Sequence, residues 1–254
     1  MAGLFDTFGG GSVPTFATLT KSANLTRVQQ DHLVRVYTWL AATTGTAALG
    51  TMLTFMYHWT VNPTLALLGA VACMVYIGAT DNGGLQATKT WTRSAALLVF
   101  GLLQGLSVGP LVAYTLHFQP NTLIMTLVGT ALIFGCFTVS ALTNRSRSWL
   151  YFGGTLGSAV GVLSLLSLVN SLFFGSKSLF SLELYLGLVL FSAYIVYDTQ
   201  LILQRVDLGS RDAVGHALTL FVDLFAVFIR ILVILLQNQE RRDDRRNRRR
   251  RSDL

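Results

Sequence analysis

The sequence predicts an all-α integral membrane protein of six to seven transmembrane helices, and three observations carry that reading. Hydrophobic residues make up 52% of the chain and charged residues only 12%, far from soluble averages. Apolar runs of roughly 20 residues recur from Val34 to Leu236, each able to cross a hydrocarbon core about 30 Å thick. The last two runs each contain a lone aspartate, Asp198 and Asp223. A carboxylate at a helix centre in lipid costs about 2.5–3.5 kcal/mol, so it is expected to face a bundle interior or a watery pathway.

The elements follow in chain order. Residues 1–33 are polar and rich in Gly, Ser and Thr. They lack the basic start and short apolar core of a cleavable signal peptide, so the first span is expected to act as an uncleaved signal. The apolar segments are Val34–Tyr57, Thr64–Thr80, Ser94–Leu116, Thr122–Leu142, Trp149–Phe174, Leu182–Leu203 and Ala217–Leu236. Their connections are too short for a second folded unit, so 34–237 forms one membrane domain. Residues 238–254 are an arginine-rich tail. Gly101, Gly105 and Gly109 step four residues apart, and Gly153, Gly154, Gly157 and Gly161 form a second small face. Both patterns predict close helix packing. Pro110 is expected to bend the third span. Cys73 and Cys136 fall inside spans, which argues for small buried residues rather than a disulfide framework or a zinc site.

The net charge of +7 is concentrated. Arg241, Arg242, Arg245, Arg246, Arg248, Arg249, Arg250 and Arg251 all lie in the tail, and the rest of the chain is near neutral. The basic character belongs to a short segment suited to anionic lipid head groups at about 1 kcal/mol per basic residue. It does not describe a nucleic-acid-binding domain. Lys and Arg otherwise cluster before the first span (Lys21, Arg27, Arg35) and after the second, fourth and sixth. That asymmetry predicts a cytoplasmic N-terminus. Seven full crossings then put the tail on the far side, against the same rule. Either the seventh segment, weakened by Asp223 and Arg230, stops short of a full crossing and leaves the tail cytoplasmic, as is expected here, or the tail is an exception to the rule. The sequons at Asn24 and Asn144 are then cytoplasmic and silent.

Asp198 and Asp223 carry the chemistry. Two like charges within hydrogen-bonding distance disfavour joint ionisation, so a facing pair is expected to hold one proton. The deprotonated pair offers hard oxygens to Ca²⁺; the half-protonated pair closes on itself. Arg230 lies seven residues after Asp223, about 10 Å along the same helical face, too far to pair with it directly. It is expected to pair with a group on a neighbouring helix or to snorkel. Glu183 sits at the start of the sixth span, where an interface position is expected and cation entry is the functional alternative. His32, His58, His117 and His216 fall at segment ends and suggest no metal cluster. No nucleophile elbow, phosphate loop or zinc-protease motif appears, so no enzyme and no resident cofactor are expected.

At these residues the chain resembles the Bax inhibitor-1 family. The stretches that carry the likeness are QQDHLVRVY, GLSVGPLV, GTALIFGCFTVSAL, SLVNSLFFGS, YDTQLI and LFVDLFAVF, together with the basic tail. The resemblance covers about residues 20 to 240 and is closest to the endoplasmic-reticulum branch. It implies a seven-helix bundle with the last helix central, and it matches Asp198 and Asp223 to a pH-sensing di-aspartyl pair. It also implies a Ca²⁺ leak across the endoplasmic reticulum membrane, suppression of cell death and membrane-protein partners in that control. Bacterial relatives carry an arginine cluster after the second span that latches onto the pair. Here that region offers Lys89 and Arg93, neither a clean match. A non-conducting interaction protein and a proton/Ca²⁺ exchanger remain open alternatives.

Overall fold

The computed structural model describes residues 26–57, 62–80, 87–143 and 151–252. The side chains of Lys89, Arg245, Arg246 and Arg248 to Arg251 lie outside the described residues, as do Lys21, Asn24, His58 and Asn144. Seven α-helices run in order among the described residues, with no strand. They are α1 (Arg27–Tyr57), α2 (Pro63–Ala79), α3 (Ala87–Phe118), α4 (Pro120–Thr143), α5 (Gly153–Val169), α6 (Lys177–Asp207) and α7 (Ala213–Ser252). The all-α class read from hydropathy holds.

Local chemistry sets the helix ends. Thr26 and Gln29 exchange a capping box at the start of α1, with the Thr26 N–H donating to Gln29 Oε1 at 2.9 Å and the Gln29 N–H to Thr26 Oγ1 at 3.3 Å. Asn62 caps α2 ahead of Pro63, whose missing N–H costs nothing at a first helical position. A π-helical turn, Asn170–Phe174, extends α5 and ends at Gly175, with φ 55°. The Asn170 side chain then clasps the Ser176 backbone, accepting from its N–H at 2.9 Å and donating to its carbonyl at 3.2 Å. That clasp turns the chain directly into α6. At the next turn Asp212 accepts from the Gly215 N–H at 3.1 Å and caps α7.

Helix α7 is the axis of the bundle and packs against α1, α2, α3, α4 and α6. Leu220, Val227 and Leu232 on it are fully buried, and Phe221 stacks edge-on with Phe100 of α3 at 5.6 Å. The glycine stripe of α3 does what its spacing predicts. Gly101, Gly105 and Gly109 lie against Thr43, Ala47 and Thr54 of α1, so close that any added Cβ collides with backbone or hydroxyl. The second glycine face does not. Gly154, Gly157 and Gly161 meet nothing, and α5 buries no residue. Only Gly153 is filled, by Tyr197. Small residues permit close approach, but α5 sits at the rim and no helix comes to that side. Cys136 is likewise on the outer surface rather than buried, because its face of α4 points away from α7; both thiols are free. Helix α3 continues through Pro110 as one element.

Among the described residues, five helices are long and apolar enough to cross a membrane: the spans Trp91–Phe118, Pro120–Thr143, Gly153–Phe174, Lys177–Asp207 and Ala213–Arg242. Helix α2 is apolar but has only 17 residues, and α1 has 31 but is threonine-rich. The last span is the most apolar of the five. By length and composition the seventh segment is therefore able to cross, which weighs against the expectation of an incomplete crossing. Gln237 lies 3.2 Å from Ser181, and Arg241 donates to Ser181 at 3.1 Å. Helix α7 therefore runs antiparallel to α6 to its far end. From Asp212 to Arg241 the rise is ~44 Å, more than a hydrocarbon core. One lone acid and one cation do not shorten a helix whose other faces are packed or apolar.

Candidate functional site

The sixth and seventh helices form the hairpin that places Asp198 and Asp223. Asp198 lies nine residues before the end of α6 and Asp223 ten residues after the start of α7. Those offsets put both about 14 Å from the turn, near the middle of the bundle. Both are buried, at 7% and 3% exposure. Their carboxyl groups come within hydrogen-bonding reach of each other. Two carboxylate oxygens both accept, so that contact requires a proton on one of them. Asp223 Oδ2 is buried without a hydrogen-bond partner.

Further polar groups gather on the side of the hairpin turn. Tyr37 of α1 faces Thr138 of α4 and Thr199 of α6. The Tyr37 hydroxyl, Thr138 Oγ1 and both amide atoms of Gln200 are buried without a hydrogen bond to protein. Orphaned buried polar atoms are rare in packed interiors and call for water or an ion. Thr199 is satisfied through the Ile195 carbonyl at 2.6 Å. Tyr194 lies close enough to both acids to interact with them electrostatically.

The other expected participants are placed elsewhere. Arg93 does not reach the pair. It donates to Asp212 Oδ2 at 2.6 Å and to the Ile77 carbonyl at 3.2 Å, tying α2 and α3 to the α6–α7 turn. Arg230 turns toward α6, packing on Gly187 and over the Phe191 ring at 4.2 Å. Its Nη1 donates to the Ala226 carbonyl at 3.1 Å. Glu183 is half-buried on α6 near Arg230. A pair that the sequence did not announce joins α1 to α7: His32 Nε2 lies 2.9 Å from His216 Nδ1, both residues buried. Gln29 adds a third tie, donating to Asp207 Oδ1 at 2.7 Å. All three ties surround the turn between the acid-bearing helices. No cluster of three or more metal-ligating side chains occurs among the described residues.

A central apolar helix, a ring of shorter partners and a buried acid pair on the last hairpin define a multi-pass α-helical membrane protein. The chain belongs to the Bax inhibitor-1 family. The family model described as Inhibitor of apoptosis-promoting Bax1 matches residues 29–240. The chain is 37% identical to Bax inhibitor 1 of Arabidopsis thaliana over 234 residues, 92% of each protein. It is 36% identical to Bax inhibitor 1 of Homo sapiens over 223 residues, 88% of this chain and 92% of the human one. Bax inhibitor 1 of Oryza sativa subsp. japonica is 38% identical over 209 residues, 82% of this chain and 81% of the rice protein.

Proposed function

We propose that the protein is a pH-sensitive Ca²⁺ leak pathway of the endoplasmic reticulum membrane that lowers the stored Ca²⁺ available to death signals. One observation carries the reading: two buried carboxyls meet at mid-bundle on the central hairpin, and one oxygen is left without a protein partner. Such a pair is costly in lipid unless it serves a path. The orphaned polar atoms of Tyr37, Thr138 and Gln200 support a watery route from the turn side toward the pair. A shared proton holds the two side chains together. Its loss frees hard oxygens of the kind Ca²⁺ prefers, so Ca²⁺ acts as cargo at Asp198 and Asp223. The names of the relatives, which speak of Bax inhibition, support the link to cell-death control. The tail arginines favour an anionic lipid surface.

The test is Ca²⁺ flux through purified protein in liposomes across pH. Wild type should leak Ca²⁺ with a marked pH dependence. Asp198→Asn and Asp223→Asn should each alter the leak and flatten that dependence. Absence of flux from folded wild type rejects the reading in favour of a non-conducting interaction protein. Flux that follows an imposed proton gradient rejects it in favour of an exchanger.

A further inference from the structure

A second polar space lies away from the acid pair, toward the end of the bundle that carries Ser181 and Arg241. It is a cleft of about 490 Å³ between α5 and the α6–α7 pair. Ser164 and Ser167 of α5 and Ser171 of the π-helical turn that extends it line one wall, spaced three and four residues apart. Glu183 and Phe191 of α6 and Arg230 of α7 line the other. Helix α5 packs against α6 and buries none of its own residues, so this wall belongs to the outer, lipid-facing rim.

The lining is unusual for that depth. Many hydroxyls elsewhere in the spans bond back to a carbonyl three or four residues earlier, as at Thr126, Thr130, Ser158 and Ser192. Ser164, Ser167 and Ser171 make no such bond among the described residues. Arg230 spends one nitrogen on the Ala226 carbonyl and lays its plane over Phe191. It makes no ion pair; the one salt bridge among the described residues is Arg93–Asp212. Gly187 makes room for it, since a Cβ there would strike the Arg230 guanidinium. Glu183 is near enough to act on Arg230 electrostatically without touching it. A separated cation and anion, joined by unspent hydroxyls, describe a receptor for a ligand that carries both charges.

The order of the charges along the helix identifies that ligand. Glu183 lies one turn, ~6 Å, nearer the start of α6 than Gly187, where Arg230 sits. The anion is therefore outward and the cation inward. An aminophospholipid has the opposite and complementary order, ammonium outward and phosphate toward the acyl chains. A guanidinium is suited to a phosphate through its planar fork, and a carboxylate to a primary ammonium. We infer that this cleft holds an aminophospholipid head group, its phosphate on Arg230 and the three serines and its ammonium on Glu183. The acyl chains then run along the outer faces of α5 and α6. A free phosphate satisfies only half of the arrangement.

Native mass spectrometry of the full-length protein tests the assignment. Detergent-purified protein is offered phosphatidylethanolamine, phosphatidylglycerol with the same acyl chains, or inorganic phosphate. Wild type should retain one phosphatidylethanolamine at several-fold higher occupancy than phosphatidylglycerol. Arg230→Gln should lower retention of both lipids about tenfold. Glu183→Gln should keep phospholipid but make the two lipids equal, a change of selectivity that misfolding does not produce. Equal retention by wild type, or the same preference in Glu183→Gln, overturns the inference. Displacement of the lipid by millimolar inorganic phosphate also overturns it, because the site then recognises a phosphate ion alone.

Discussion

His32 Nε2 and His216 Nδ1 lie 2.9 Å apart and share a single proton across the junction of α1 and α7. The contact needs one ring to donate and the other to accept, so a second proton breaks it. His32, before the first apolar segment, is held below the ordinary imidazole value of 6.5 first by burial and then by the Arg35 charge, with Asp212 opposing. The folded state thus prefers neutral His32. Its contribution to stability is complete above 6.5 and is lost as pH falls. The unfolding temperature in detergent should therefore drop between pH ~7.5 and ~5, and His32→Gln should remove part of that drop. An unchanged pH profile in the variant contradicts the assignment.

Arg93 and Asp212 form a nearly buried ion pair, 11% and 12% exposed, with a carbonyl as third partner. Removing one member leaves the other charge buried, which costs about 3 kcal/mol. Arg93→Met and Asp212→Asn should each destabilise the protein by about that much. Asp212→Asn keeps a capping side chain for α7, so the loss there reads the charge rather than the cap. The double variant should be little worse than either single one, measured by thermal unfolding in detergent.

The two glycine faces make a paired test. Gly105→Ala should cost about 1–3 kcal/mol, because the new Cβ meets the Ala47 backbone. Gly157→Ala should be neutral or slightly stabilising, since nothing stands near it and alanine is the better helix former. Equal losses at both positions would indicate that α5 packs against a partner.

The ends of the chain should be found on opposite sides of the membrane. Gln29 touches Asp207 at one end of the bundle, and Arg241 touches Ser181 at the other. With the N-terminus cytoplasmic, as the loop charges favour, a C-terminal tag should resist protease in sealed microsomes until detergent is added. A tag removed without detergent means that α7 turns back in the cell. Replacing the eight tail arginines with glutamine should weaken binding to anionic vesicles and leave core flux intact.

Hydropathy made the spans legible, and the energetic penalty of a carboxylate in lipid singled out Asp198 and Asp223 before any geometry. Their meeting was also implied, because consecutive antiparallel helices place residues equally far from the turn side by side. The histidine pair was not legible. His32 and His216 are 184 residues apart, and only the central position of α7 brings them together. Arg93 stands where relatives carry a latch for the acids without matching it cleanly, and it pairs instead with Asp212, a carboxylate at the turn nearer its own helix end. The α5 glycines misled because small residues state what a helix permits and not what it meets. The seventh segment read as weaker alone than it is in the bundle, for a related reason. Asp223 and Arg230 weigh against a lone helix in lipid, but inside the bundle one faces a second acid and the other a polar cleft.

From His216 to Ser252 helix α7 contains neither glycine nor proline. The mid-bundle acid and the arginine tail are thus parts of one stiff shaft with no hinge between them. A pull or twist applied to the arginines by a charged surface has no joint in which to dissipate. On the proposed function, it is expected to arrive at Asp223 as a rotation or a slide of its carboxyl against Asp198, so that a surface outside the bilayer and a proton inside it would act on the same coordinate.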